Sequence, residues 1–469
     1  MSWPWGLFLV YAVVTSWLAW RGGRSAASGA GFAIGDGRMS PWVAGITLGA
    51  CLASSATFVI VPGFVYAEGL PALIGFTLPF IAGVAAGLIL LTGPFQAWGQ
   101  RCSALTVPHW LGERYESPGL RKLFAGLNLL NLAYLVLITV GCAYVMQAAL
   151  GLPYAASVVG IVVFVFGYTG FGGAGAHALT NTLQGVVMLG VAALIAASGH
   201  AVFGASLESL ASTGWTAPDS RLFSTTAEVW LVPALMGFAL TTQPHLLSKA
   251  LYVEDRAAVR EMVAVALACF TVFSLVLLAG AYARVALPAD LPQDQVMAAY
   301  LVQAFPWKPL SALVTVAILS ASMSTLDGLL VAISASLGGD LFETPSLKRN
   351  RLILAGLALA TIGLSLSPPK LVLILGQLGV YGLVAASAGP LLVGLFTKGR
   401  LPLRPAVASA LLALAVHFGL ALTVVDNPGV AACFAILVGV PVAAVGAVRS
   451  VSSLPSVVSP APAEPRSAK

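Results

Sequence analysis

Ala321-Ser322-Met323-Ser324-Thr325-Leu326-Asp327 lies inside a long apolar run, and so, in the other half of the chain, does Ala50-Cys51-Leu52-Ala53-Ser54-Ser55-Ala56-Thr57. Hydrocarbon does not solvate hydroxyls, and small residues are poor lipid-facing filler. Such clusters mark close helix packing or a polar site at membrane depth. One cluster per half of the chain points to an ion or solute site built between repeats.

The chain around them has 469 residues, 59% hydrophobic and only 9% charged, with a mean hydropathy of +0.94. Soluble domains carry about 25% charged residues, so this is an all-α polytopic membrane protein. Its 49 Gly and 28 Pro suit helices that pack closely and break often. The first apolar run, from Trp3 to Trp20, has no basic stretch before it and no small-residue cleavage pattern, and is expected to be a true span. The five cysteines are scattered, with no metal or redox spacing, and are expected to pack as small hydrophobes.

Thirteen apolar segments reach the length of about 20 residues that a span needs: 3–20, 41–66, 71–95, 123–149, 154–172, 179–199, 229–247, 259–283, 309–336, 351–367, 370–397, 402–424 and 428–448. With Arg21, Arg24 and Arg38 placed in the cytoplasm, only Arg221, Arg284, Lys308 and Lys370 of the 23 Lys and Arg fall outside. That is a strong positive-inside pattern, and it accounts for the net charge of +6 without a nucleic-acid partner. The N-terminus is predicted outside and the C-terminus in the cytoplasm of a plasma (inner) membrane, the bilayer being the chain's lipid partner. The domain expected is 1–449, followed by a disordered cytoplasmic tail, 450–469, rich in Pro, Ser and Ala. Trp20, Trp42, Trp98, Trp230 and Trp307 fall at predicted span ends and read as an aromatic belt.

Of the seventeen acids, Asp327 alone lies well inside a predicted span. An intramembrane carboxylate costs about 2.5–3.5 kcal/mol on insertion scales, which makes it a functional candidate. A hydrogen-bonded packing acid would read the same way.

Family landmarks accompany these clusters. They are Phe32 to Trp42 with Gly37-Arg38 and Pro41-Trp42; Pro62-Gly63; Tyr66-Ala67-Glu68-Gly69; Thr106-Val107-Pro108 with Arg114-Tyr115; Tyr168 to Gly173 followed by Thr180 to Gly185; Gln243-Pro244-His245; Met323 to Leu326; and Gly389-Pro390. In this order and spacing the chain resembles the sodium:solute symporter family over roughly 30–400. Its members include proline, pantothenate, monocarboxylate and sugar carriers. The resemblance implies a LeuT-type fold of two inverted five-helix repeats, about 13 transmembrane helices in all. By that mapping the core repeats are about 41–199 and 229–397, each opening with a helix broken at mid-membrane.

It also implies a coupling ion, Na+, held by carbonyls of Ala50, Ala53 and Ala321 and by the hydroxyls of Ser324 and Thr325. Ala321, Ser324 and Thr325 stand at i, i+3 and i+4, on one helix face. A packing seam of small residues would give the same run, and the matched segment at 50–55 favours the ion. Many family members carry Thr-Asp where this chain has Thr180-Asn181, whereas Asp327 stands where they usually have Ser. The carboxyl is therefore expected to have moved between helices. With Asn181 it would form a second sodium site or carry a proton; a local substitution is the other reading.

Family substrate sites lie at the helix breaks. The mapped candidates are Ser54, Ser55, Thr57 and Phe58, then Met236 and Leu240, then Gln377 and Tyr381, with Tyr134 a weaker one. Few amides and no deep Lys, Arg or Glu argue against a sugar, whose hydroxyls would need many partners. A small organic solute with a carboxylate, such as a monocarboxylate or a pantothenate-like acid, fits better. A sodium- or proton-coupled symporter of a proline-like amino acid is the alternative. His177, His200 and His417 have no partner visible in sequence. An intramembrane enzyme would need HExxH or an interfacial acidic or basic cluster, a channel a filter repeat, and a receptor a signalling domain; none is evident.

Overall fold

In the computed structural model the described residues are 3–23, 28–35, 37–54, 56–342, 346–368 and 372–452. They form helices and connecting turns, with no strand among them. The first half comprises α1 (Trp3–Gly22), α2 (Gly29–Ile34), α3 (Pro41–Leu52), a π-helical turn (Ala56–Ile60), α4 (Val61–Glu68), α5 (Leu70–Phe76), α6 (Leu78–Arg101), α7 (Val107–Arg114), α8 (Pro118–Leu127), α9 (Leu132–Leu150) and α10 (Tyr154–Ser198). The second comprises α11 (Phe203–Ala211), α12 (Thr226–Leu240), α13 (Pro244–Leu247), α14 (Arg256–Ser274), α15 (Leu278–Ala286), α16 (Val296–Ala304), α17 (Lys308–Ala335), α18 (Leu347–Ser365), α19 (Val372–Phe396), α20 (Leu403–Thr423) and α21 (Pro428–Ser452).

Local chemistry sets the boundaries. Pro stands in the first turn of α3 and α4, where its missing N–H costs nothing. Thr106, Ser117 and Asp255 accept backbone N–H bonds at the starts of α7, α8 and α14. Thr225 and Glu228 close a capping box on α12.

Among the described residues, nine helices are long and apolar enough to cross a membrane, and α3 with α4 makes a tenth, broken span. Three of the thirteen expected segments merge with a neighbour or fall short of that length and apolarity. Segments 154–172 and 179–199 both fall within α10, which changes direction at Gly173 (φ 53°, ψ −145°). Segment 229–247 ends as a helix at Leu240, and α18 carries three cations in its first turns. Asn128–Asn131 is a 3₁₀ turn that runs α8 into α9 as one span.

The most deeply buried helix is α17, enclosed by α10, α9, α1 and α3. Two glycines permit the crossing of α6 and α12. A Cβ on Gly83 would meet the Ala234 carbonyl at 2.0 Å, and one on Gly237 the Phe80 carbonyl at 2.3 Å.

One expectation is corrected here. Trp98 packs against Trp110 with Arg114 over its ring, so it belongs to an interior aromatic cluster rather than a belt. Lys249 is buried, with Nζ donating to the His245 carbonyl at 2.6 Å. The last helix, α21, ends at Ser452, and the rest of the predicted tail lies outside the described residues.

Candidate ion and solute site

The site begins where α3 stops. Ala53 leaves helical geometry (φ −100°, ψ 86°), and the chain resumes in the π turn at Ala56, the two halves meeting at 50°. Ser54 causes part of this. Its Oγ accepts from the Ala56 N–H at 3.1 Å, a local bond that competes with the helix ladder.

The buried face of α17 lies opposite. Ser324 Oγ stands 2.8 Å from the Ala321 carbonyl and 3.0 Å from the Ala50 carbonyl, and Thr325 Oγ1 donates to the Cys51 carbonyl at 3.3 Å. Ala50, Ala53, Ala321, Ser324 and Thr325 are all fully buried. The structure thus joins three of the five predicted ligands, Ala50, Ala321 and Ser324, by hydrogen bonds, ties Thr325 to the neighbouring Cys51 carbonyl, and sets Ala53 at the break. Oxygen donors from a broken helix and a facing helix suit a hard monovalent cation.

One turn further along α17, Asp327 is fully buried. Its Oδ2 accepts from Tyr168 at 3.0 Å and from Thr180 at 3.2 Å, and its Oδ1 lies 2.8 Å from His177 Nδ1. His177 therefore does have a partner. His417 has one too, the Leu378 carbonyl at 3.0 Å. Asn181, one residue beyond Thr180, donates to the Ser324 carbonyl at 3.0 Å, and Cys51 Sγ reaches the same oxygen at 3.2 Å. The Asn181 Oδ1 is buried without a hydrogen-bond partner. Asp327 and Asn181 thus flank Ser324 without touching each other through any described hydrogen bond.

On the other side of the break is a cavity of about 100 Å³. Ser54, Thr57, Tyr134, Leu240, Gln377 and Tyr381 line it. Tyr134 donates to Ser54 Oγ at 3.1 Å, and Gln377 Oε1 is buried with no partner. Two candidates lie off its lining. Phe58 is packed in the core, its ring 6.0 Å from that of Phe273. Met236 lines an adjoining hollow, which shares Phe76, Phe80, Gln377 and Tyr381 with the cavity. Ser55 lies outside the described residues.

Sequence reasoning missed Phe76, Phe80, Phe270 and Ser274 in the lining and Tyr168, His177 and Cys51 around Asp327. His177 was the legible signal among these, an imidazole in an apolar run. The phenylalanines carry none, since an aromatic residue in a span reads as packing.

The sodium:solute symporter family model matches residues 32–398. The sodium/pantothenate symporter of Escherichia coli (strain K12) is 28% identical over 386 residues, 77% of this chain and 78% of that protein. The sodium/pantothenate symporter of Haemophilus influenzae (strain ATCC 51907 / DSM 11121 / KW20 / Rd) is 26% identical over 388 residues, with the same shares covered. Among solved structures, a Na+-coupled sialic acid symporter in a substrate-bound outward-open state superposes with a TM-score of 0.80 at 17% identity, over 96% of this chain and 98% of that one. Mhp1, a nucleobase-cation-symport-1 transporter, does so with a TM-score of 0.56 at 16% identity, over 88% and 93%. The chain belongs to the sodium:solute symporter family, as a multi-pass membrane transporter of the LeuT type whose coupling ion is sodium.

Proposed function

We propose that the protein imports a small carboxylate, of the pantothenate or monocarboxylate type, with sodium held by the carbonyls of Ala50, Ala53 and Ala321 and the hydroxyls of Ser324 and Thr325. The observation that carries this is the meeting of the Ser324 hydroxyl with the Ala50 carbonyl at 3.0 Å, beside a cavity lined by Ser54 of the same broken helix. Sodium there would fix the break and hence the positions of Ser54 and Thr57. That is the physical content of coupling, because an ion that favours the solute-competent state raises solute affinity.

The cavity lining contains no Lys or Arg. A carboxylate would be met by hydroxyls of Ser54, Thr57 and Tyr134 and by the neighbouring sodium, while Phe76, Phe80 and Phe270 cover the apolar part of the solute. The unpartnered Gln377 Oε1 is an acceptor and favours a solute that also carries a hydroxyl or amide N–H. The pantothenate specificity of the two relatives supports the same class. Asp327 and Asn181 are assigned to the ion path next to Ser324, where the carboxyl supplies the negative field of a second ion site. The orientation that suits the positive-inside pattern has the N-terminus outside and the C-terminus in the cytoplasm, with repeats 41–199 and 229–397 rocking against each other.

Uptake into proteoliposomes of labelled pantothenate, short monocarboxylates, proline and a hexose tests the reading, with and without an inward sodium gradient. Sodium-stimulated, saturable uptake of a carboxylate supports it. Stimulation of proline alone would replace the solute class, and uptake driven by a proton gradient would remove the ion assignment.

A further inference from the structure

The largest cavity among those described lies away from the transport site, on the lipid-facing side of the bundle. It is a groove of about 580 Å³ between the end of α1 and the first half of α10. Ala19 and Trp20 form one wall and Val163, Gly167, Tyr168 and Phe171 the other. Trp20, Val163 and Phe171 are 59%, 61% and 69% exposed, so the groove opens outward into hydrocarbon. Its size is in the range of small-molecule sites. A Cβ on Gly167 would meet no atom within 4 Å, so the space there is not a packing contact of the protein.

The rim is basic. Arg21, exposed in the last turn of α1, follows the wall residue Trp20 and sits over the Trp17 ring at 5.6 Å. Arg351, exposed at the start of α18, donates to the Gly170 carbonyl at 2.9 Å and sits over the Phe171 ring at 5.6 Å. The first turn of α18 has no acid, and Lys348 and Arg349 adjoin Arg351. An apolar trough ending in cations is complementary to an acyl chain ending in an anion.

We infer that this groove binds one anionic phospholipid, with an acyl chain along Val163, Gly167 and Tyr168 and its phosphate between Arg21 and Arg351. In the orientation proposed above, the lipid belongs to the cytoplasmic leaflet. Tyr168 is common to both sites, its ring in the groove wall and its hydroxyl on Asp327. The rim charges set headgroup selectivity and the groove sets retention, so the two are separable by substitution.

Native mass spectrometry of the purified, delipidated full chain tests this, with dioleoylphosphatidylglycerol and dioleoylphosphatidylcholine supplied at equal concentration. The expected result is one tightly held phosphatidylglycerol, preferred at least tenfold. Gly167→Leu, whose Cβ would meet no atom within 4 Å and whose side chain projects into the trough, should lose it. Arg21→Gln should lower the preference several-fold while retention of phosphatidylcholine is unchanged, and this variant disturbs no buried contact. Equal retention of the two lipids by the natural sequence would mean an annular lipid only, and undiminished retention by Gly167→Leu would place the lipid elsewhere; either result overturns the inference. Neither bears on sodium coupling, which the uptake experiment reads.

Discussion

At the scale of single residues, Ser324 and Ser322 make an internal comparison. Both are fully buried on α17 and both face a carbonyl of their own helix, Ser322 Oγ that of Ile318 and Ser324 Oγ that of Ala321, but Ser324 Oγ also reaches across to the Ala50 carbonyl. Ser324→Ala is expected to raise the sodium concentration for half-maximal uptake at least tenfold. Ser322→Ala should leave it unchanged, and sodium titrations of initial uptake rates decide between them. Asp327 is the harder case. Removing its carboxyl strands Tyr168 and His177 in a buried site, each lost acceptor costing about 1–3 kcal/mol, while Thr180 keeps the Ala176 and His177 carbonyls as acceptors. Asp327→Ala should therefore lower the melting temperature as well as sodium dependence. Asn181→Asp should restore part of the sodium dependence without restoring the melting temperature. The exposed intramembrane cost of an acid made Asp327 legible in the sequence. Its three partners were not, because nothing local indicates which turn of α10 faces it.

At the scale of elements, the bend in α10 explains that gap. Tyr168 and Thr180 are twelve residues apart and would lie about 18 Å apart along a straight helix. They bond the same oxygen of Asp327 because the helix turns at Gly173. The positive φ there suits glycine, and a Cβ would meet the Phe32 carbonyl at 2.6 Å. Gly173→Ala is expected to destabilise the fold by roughly 1–3 kcal/mol and to weaken sodium coupling without touching a ligand, read as a lower melting temperature together with a raised sodium requirement. The sequence places a break between 172 and 179, yet the helix is continuous on both sides of one residue, since a single glycine suffices to redirect it. The α7–α8 hairpin offers a second test. His109 Nδ1 accepts from the Leu105 N–H at 3.3 Å, and burial, reinforced by Arg121, pushes its pKa from the usual 6.5 down to about 4. Glu113, half-exposed 3.7 Å from Nε2, is too well solvated to hold the charged form. Below pH 6.5 the unfolded chain takes up a proton that the native histidine refuses, so stability falls as pH drops from 6.5 to about 4. His109→Gln should flatten that part of the melting-temperature profile.

At the scale of the whole molecule, two regions of the proposed solute path differ in chemistry. The cavity and its adjoining hollow share Phe76, Phe80, Gln377 and Tyr381, three aromatic rings and one amide. The end carrying α7 and α8 is tied by polar bonds. Beyond α17, Asp340 accepts from Thr106 at 2.5 Å and from Arg121 Nε at 2.8 Å with its side chain 2% exposed. Arg114 and Tyr115 of the same hairpin bond carbonyls at the end of α19. Two of the family landmarks in the sequence, Thr106 and Arg114-Tyr115, are thus members of one latch between the two proposed repeats. A hydrogen bond to a charged group contributes about 1.5–3 kcal/mol, and about 1.4 kcal/mol is a tenfold change in an equilibrium constant. Asp340→Asn, which weakens both bonds while keeping the side chain's size, should therefore raise the population open at that end by roughly tenfold or more. The measurable consequence is faster sodium-independent efflux of solute from preloaded proteoliposomes, with the sodium concentration for half-maximal uptake altered far less than in Ser324→Ala. Unchanged efflux would mean that the latch contributes only to folding.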